Sequence, residues 1–285
     1  MIVWERGSRW VAESWKVVVL VLIAIPWIFV PLWLLLVNSF KPYTEAASLT
    51  LSLPHHWAIL SNYGTTLHQW GFLTALKNSV LVVVPTMLVV IFLGSLAAWA
   101  FARSTSMTMK VAFNISVLTI LLPPAVLPTI YLLERLHLQA TLWGYALSMM
   151  GTRIGIVIFL ATGFLRSFPR SLEEAAAIDG ANRLQTYRRI ILPLLRPVLL
   201  VGGVILVISV WNEFFFALFL LGGSSQSTLP LALFQHAASS ATNQVTYLWN
   251  LIFADVVLTS LPVLIVYLLV NRRLISGLSE GALKG

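Results

Sequence analysis

The 285 residues are 59% hydrophobic and 10% charged, with a mean hydropathy of +0.89, which excludes a soluble globule and leaves a multi-span membrane protein. The absence of cysteine excludes a disulfide framework, thiol catalysis and a Cys-based zinc site. The net charge of +8 is a signal of topology, and no nucleic-acid partner is expected.

Residues 1–14 are short and basic, and Trp4 and Trp10, with Trp15, suit a bilayer interface. The apolar run 17–37 is long enough to cross about 30 Å of hydrocarbon as a helix. It is too long for a signal-peptide core and no small-residue cleavage site follows, so it is expected to be retained. Pro26 and Pro31 predict kinks in it. Residues 38–75 form a polar segment. Its adjacent histidines, His55 and His56, cannot face one metal from a helix and have no further ligands nearby, so they are expected on an exposed loop.

A second span is expected over 80–102, where Gly94, Ala97, Ala98 and Ala102 offer a small-residue face for close packing. The third, 111–133, contains Pro123, Pro124 and Pro128, which need neighbouring helices or a watery cavity to satisfy the freed carbonyls. The fourth, 142–165, carries Gly151 and Gly155 at the spacing of a helix-contact motif. A polar loop at 166–197 leads to a fifth span over 198–221, a polar loop over 222–246, a sixth span over 247–270 and a glycine-rich tail over 271–285.

Six spans put both ends of the chain on one side. Fourteen of the eighteen Lys and Arg residues fall on that side, three on the other, and Arg153 lies within a span. The positive-inside rule then places the termini and the 166–197 loop in the cytoplasm. All five histidines fall on the opposite side.

Within that loop, Ser171 followed three residues later by Glu174 predicts a capping box and a short helix over 172–179. Gly180 stands where a left-handed residue would end it. Asn182 with Gln185 repeats the capping signal and starts a second helix carrying Arg183, Arg188 and Arg189, which Pro193 and Pro197 hand on to the fifth span. Three alanines, 175–177, leave one side of the first helix nearly flat, while Glu173, Glu174 and Asp179 offer charge. Such a surface suits docking better than catalysis.

Glu174-Ala175-Ala176, then Gly180, then Ile190-x-Leu192-Pro193 resembles, at every defining position, the EAA loop of membrane subunits of ATP-binding-cassette importers. The resemblance implies that the loop forms a coupling helix seated in a cleft of a cytoplasmic ATPase subunit. Glu174, Ala175, Ala176 and Asp179 would make that contact and Gly180 would set the turn. Ile190, Leu192 and Pro193 would pack the second helix against the ends of the spans.

Three ionisable residues, Arg153, Glu213 and Asp255, fall within expected spans. Each costs about 2.5–3.5 kcal/mol there without a partner or water. All three lie at similar depth and could meet in one layer, as an ion pair that fixes helix positions, as a polar patch along a substrate path, or as a proton relay. Their charges can neutralise one another locally, which favours the first two. Trp211-Asn212-Glu213-Phe214 resembles a fifth-span segment of sugar-importer permeases. The tail, with Gly277, Gly281, Ala282 and Lys284 after Arg272 and Arg273, resembles the C-terminus of the MalG-like half of carbohydrate importers and implies a second ATPase contact. Asn38 to Pro42 and Asn78-Ser79 add to that likeness.

The expected protein is therefore all-α, a single transmembrane domain over 1–285 with the six-helix permease fold of type I ABC importers. The chain contains no G-x-x-x-x-G-K-[ST] phosphate loop, so ATP and Mg are expected in partner ATPase subunits and no cofactor in this chain. The resemblance implies a second homologous permease, two ATPase subunits, an extracytoplasmic binding protein and a sugar substrate. A permease for an amino acid or peptide is the near alternative. An ion-coupled secondary transporter using Glu213 or Asp255 is the distant one, since the chain shows no obvious internal repeat.

Overall fold

The computed structural model describes residues 15–69, 71–222, 225–242 and 248–282. Helix α1, Trp15–Ser39, contains a π-helical segment at Ile25–Phe29 with Pro26 near its start. The wider turn accommodates the donor that proline lacks. Helices α2, Ile59–Gln69, and α3, Phe72–Arg103, follow, then α4, Met107–Leu121, and α5, Val126–Arg135. Helix α6 is Leu142–Arg166 and α7 is Ser171–Ile178. Helix α8 runs Arg183–Trp211, α9 Phe215–Leu221, α10 Leu229–Thr242 and α11 Trp249–Ala282. Every regular element among the described residues is a helix.

Five of these helices are long and apolar enough to cross a membrane, and α4 with α5 makes a sixth only as a pair bent by 112°. The uninterrupted run expected over 111–133 is thus two helices. Pro123 and Pro124 remove two consecutive N–H donors, and Leu122 before them takes an extended ψ of 134°, as the residue before a proline prefers. The run expected over 198–221 also divides, with a break at residues 212–214 between α8 and α9. The 222–246 stretch is not one loop, because α10 occupies much of it. The 271–285 tail is not separate either, since α11 continues helically through Ala282.

The chain divides into two compact units, Met1–Phe72 with Leu233–Thr259, and Leu73–Ala232 with Ser260–Gly285. In the second unit α6 is the central helix. Tyr145, Met149, Val157, Ala161 and Leu165, spaced mostly by four, are each at most 1% exposed and form one buried stripe. Gly155 allows α4 to approach: a β-carbon there would lie 2.3 Å from the Ser116 carbonyl oxygen. Gly151, its partner in the expected contact motif, faces open space. Asn78 donates to the Ser227 carbonyl at 3.0 Å, and the Ser79 hydroxyl accepts the Leu229 N–H at 2.8 Å, capping the start of α10.

In the first unit the stretch after α1 is held by buried polar groups. The Asn62 amide donates to the carbonyls of Ser39 and Lys41, both at 2.8 Å, and accepts from Asn250 at 2.8 Å. Lys41, 1% exposed, donates to Asn38 Oδ1 at 3.2 Å and to the carbonyl and hydroxyl of Thr50, each at 2.9 Å. Burial pulls the Lys41 ammonium below the usual lysine pKa, and the nearby Glu45 carboxylate offsets part of that. His55 and His56 are exposed, and their backbone N–H groups donate to the Glu45 carboxylate at 2.9 and 3.2 Å.

Removing the ammonium would leave the buried Asn38 Oδ1 without its donor, whereas the exposed Thr50 keeps the Asn38 amide and the Ser52 hydroxyl as partners. Lys41→Ala is expected to destabilise the chain by about 2 kcal/mol, read as a lower unfolding midpoint of the purified protein in detergent.

Candidate functional site

The 166–197 loop folds as helix, turn, helix. Helix α7 ends in a Schellman arrangement, with Gly180 N–H donating to the Ala177 carbonyl at 3.1 Å and Ala181 N–H to that of Ala176 at 2.9 Å. Gly180 takes φ +78°, a conformation that costs a residue with a side chain roughly 1–2 kcal/mol. Asn182 and Gln185 form a full capping box, each side chain accepting the other's backbone N–H at 2.9 Å. The box expected at Ser171 does not form. The chain is already helical at Arg170, the N-cap, at φ −69° and ψ −20°, so Ser171 lies inside the first turn instead of before it.

A π-helical turn at Tyr187–Ile191 precedes Pro193, where α8 passes from the polar loop into its apolar length. Ile191, 1% exposed, is inserted more deeply than the half-buried Ile190, Leu192 and Pro193. Between α7 and the start of α8 lies an open recess of about 500 Å³ whose lining includes Leu172, Ala175, Asp179, Gly180, Arg189 and Ile190. Apolar side chains stand exposed on these two helices: Ile178 at 87% and Leu184 at 55%. Glu174 is exposed as well, while Ala176 is buried.

Glu173, next to the motif glutamate, faces the other way. Its carboxylate accepts Arg103 Nε at 2.6 Å and Trp99 Nε1 at 2.9 Å. Only long-range packing creates this contact, and nothing in the local sequence separates Glu173 from Glu174.

Each of the three ionisable residues in the spans has a partner within its own unit. Arg153 continues the four-residue stripe of α6, so its guanidinium points into the unit, where it pairs with Glu213. The other oxygen of Glu213 accepts the Phe216 N–H at 3.0 Å, and the Tyr145 hydroxyl donates to the Glu213 carbonyl at 3.3 Å. Asn212 is exposed and returns its amide to the Ile208 carbonyl at 2.9 Å. Asp255 belongs to the first unit and has its own partners: His236 Nδ1 at 3.2 Å and Thr259 Oγ1 at 3.3 Å. Sequence reasoning assigns His236 to an outer polar loop. The signal it overlooks is the apolar run Leu229–Phe234 just before it, which opens α10.

In the tail, Gly277, Gly281 and Ala282 lie on the helical backbone of α11, and Lys284 lies outside the described residues.

Long apolar helices with internally neutralised charges define a multi-span helical membrane protein. Residues 90–278 match the family model described as binding-protein-dependent transport system inner membrane component, and this chain belongs to that family. Among its relatives is the multiple sugar-binding transport system permease protein MsmG of Streptococcus mutans, 32% identical over 95% of this chain and 96% of that one. Another, of Thermoanaerobacterium thermosulfurigenes, is termed "Probable starch degradation products transport system permease protein AmyC" and is 31% identical over 93% and 94%. The fold is that of a chain in the crystal structure of a bacterial ABC transporter involved in the import of the acidic polysaccharide alginate. It matches with a TM-score of 0.76 at 23% identity, covering 93% of this chain and 97% of that one. Membership of this family sets aside the ion-coupled secondary transporter.

An ion-pair role for Arg153 and Glu213 makes a test of its own. Glu213→Gln, which strands the inward guanidinium, is expected to cost about 3 kcal/mol, and Arg153→Met combined with it to recover most of that. Thermal unfolding of the three proteins in detergent measures both.

Proposed function

We propose that this chain is one of two membrane halves of an ATP-driven importer for a sugar or oligosaccharide, coupled to its motor through α7 and the first turns of α8. The observation that carries the coupling is the loop itself. A Gly180 turn fixes α7 and the first turns of α8 around an open recess, with Ile178 and Leu184 exposed where an isolated subunit would gain nothing by exposing them. Ala175 leaves room for a close approach, Asp179 and Glu174 supply charge, and the cleft of an ATPase subunit is the complementary shape.

ATP and Mg are bound and hydrolysed in two separate cytoplasmic chains, and a binding protein on the opposite side delivers substrate. The distribution of Lys and Arg supports this orientation, with the loop facing the compartment that holds ATP. Closure of the ATPase dimer moves α7 as a rigid body, and the helices above it alternate access. Ile190, Leu192 and Pro193 seat the second helix of the loop, while Gly277, Gly281, Ala282 and Lys284 at the end of α11 make a second contact with the motor. Arg153, Asn212, Glu213 and Asp255 hold helices and breaks in place along the path. The names of the relatives, which speak of multiple sugars, starch degradation products and melibiose, raffinose and stachyose, support a carbohydrate.

Affinity purification of the tagged chain from its native membranes is expected to recover an ATPase, a second permease and a binding protein. The binding protein can then be titrated with mono- and oligosaccharides by calorimetry. Recovery of this chain alone, folded, would overturn the subunit reading. Gly180→Val is expected to leave membrane insertion intact and to lower sugar uptake about tenfold by misdirecting the loop, measured as uptake per inserted chain.

A further inference from the structure

The loop grips one place in the bundle from two sides. From α7, the Glu173 carboxylate takes one N–H from Trp99 and one from Arg103, which lie one turn apart on α3. Two donors on one turn fix the direction of the carboxylate as well as its distance. From α8, Tyr187 in the π-helical turn stacks on Trp99, with ring centroids 6.0 Å apart and planes 27° apart. Its hydroxyl meets Ser95 Oγ at 2.7 Å in a buried contact. The last two turns of α3 therefore hold both helices that flank the recess.

The same turns are tied to the end of α6. Arg103 Nη1 donates to the carbonyls of Leu165 and Phe168, both at 3.2 Å, and Arg170 Nη2 donates to the Arg103 carbonyl at 2.8 Å. Each arginine thus donates to backbone carbonyls at or just past the end of the neighbouring helix, Arg103 beside α6 and Arg170 on α3. Arg103 and Glu173 are 16% and 17% exposed, sheltered enough for a charge-assisted pair to be stronger than its surface equivalent.

We propose that Glu173 is the positioning residue that makes α3 follow α7, so that movement imposed on the loop enters the helix bundle at the Arg103 end of α3. This rests on the reading of the loop as the motor contact and goes beyond it, naming the side chain through which the movement leaves the loop. Adjacent acids divide the work: Glu174, about 100° further round the helix, is exposed to a partner, and Glu173 is turned inward.

The test uses the complete complex, purified through this chain and placed in nanodiscs. Because the chain has no cysteine, Thr86→Cys gives it a single thiol in α3 at a position that is 0% exposed. The rate at which a maleimide labels this chain is compared without nucleotide and with Mg-ATP plus vanadate. With Glu173 intact, trapping is expected to change the rate about tenfold, and with Glu173→Gln by less than about twofold, while ATPase recovery and nucleotide trapping stay the same. Trp99→Phe keeps the stack on Tyr187 and removes one donor, so an intermediate response of about threefold is expected. A full response in Glu173→Gln overturns the proposal, as does loss of the ATPase from that complex, which would place Glu173 on the docking face. If Glu173→Gln does not accumulate, a full response in Trp99→Phe overturns it equally. A wild-type complex that holds no ATPase overturns the motor-contact reading first and this proposal with it.

Discussion

Hydrocarbon offers the backbone no hydrogen-bond partner, so every place where a long apolar helix gives up its own ladder must be repaired from within the protein. The break between α8 and α9 shows how compactly that can be done. Asn212 returns both its backbone N–H and its side-chain amide to the Ile208 carbonyl, closing the end of α8. Glu213 caps α9 by accepting the Phe216 N–H, and its second oxygen neutralises Arg153. One carboxylate thus satisfies an orphan donor and a buried cation together. The guanidinium could not turn away, because residue 153 falls in the same four-residue stripe as Tyr145, Met149, Val157 and Ala161. An inward arginine at this register requires an inward acid.

The two asparagine-containing motifs obey the same constraint at the ends of helices. Asn38 returns its amide to the Leu34 carbonyl at 2.7 Å and to that of Thr50 at 3.1 Å, and its oxygen receives the Lys41 ammonium, so the last turn of α1 is closed by the residues just after it. Asn78 and Ser79 near the start of α3 instead serve residues about 150 positions later, at the opening of α10. Short polar motifs flanking apolar runs look alike in sequence, yet one is held mainly by residues up to about 24 positions away and the other by residues about 150 positions away.

That difference sets how much could be read in advance. The first, second, fourth and sixth apolar runs, the Gly180 turn and the Asn182 capping box are decided by residues within a few positions of one another, and each was legible. The Ser171 box has the same local pattern and fails, because the backbone arriving from Arg170 is already helical and leaves the hydroxyl no N-cap position. Pro123 and Pro124 announced a disturbance, but its size, a bend of 112°, depends on how α4 and α5 pack afterwards. The pairing of His236 with Asp255, nineteen positions later, depends on how α10 packs against the start of α11. No local pattern carries that information.

The coupling loop combines both kinds of determination. Its shape is local: a left-handed glycine, a Schellman end and a capping box set the angle between α7 and the first turns of α8. Its attachment is not, because Glu173 reaches residues 70 and 74 positions earlier. A loop rigid in itself but free of the bundle could dock a partner and transmit nothing, while one fused to the bundle along its whole length would have no face left to offer. Helical periodicity resolves the conflict, since neighbours about 100° apart can face opposite environments. With two consecutive glutamates on α7, one side chain binds inward and the next stays available, and eight residues are enough to join an exposed surface to the interior of the helix bundle.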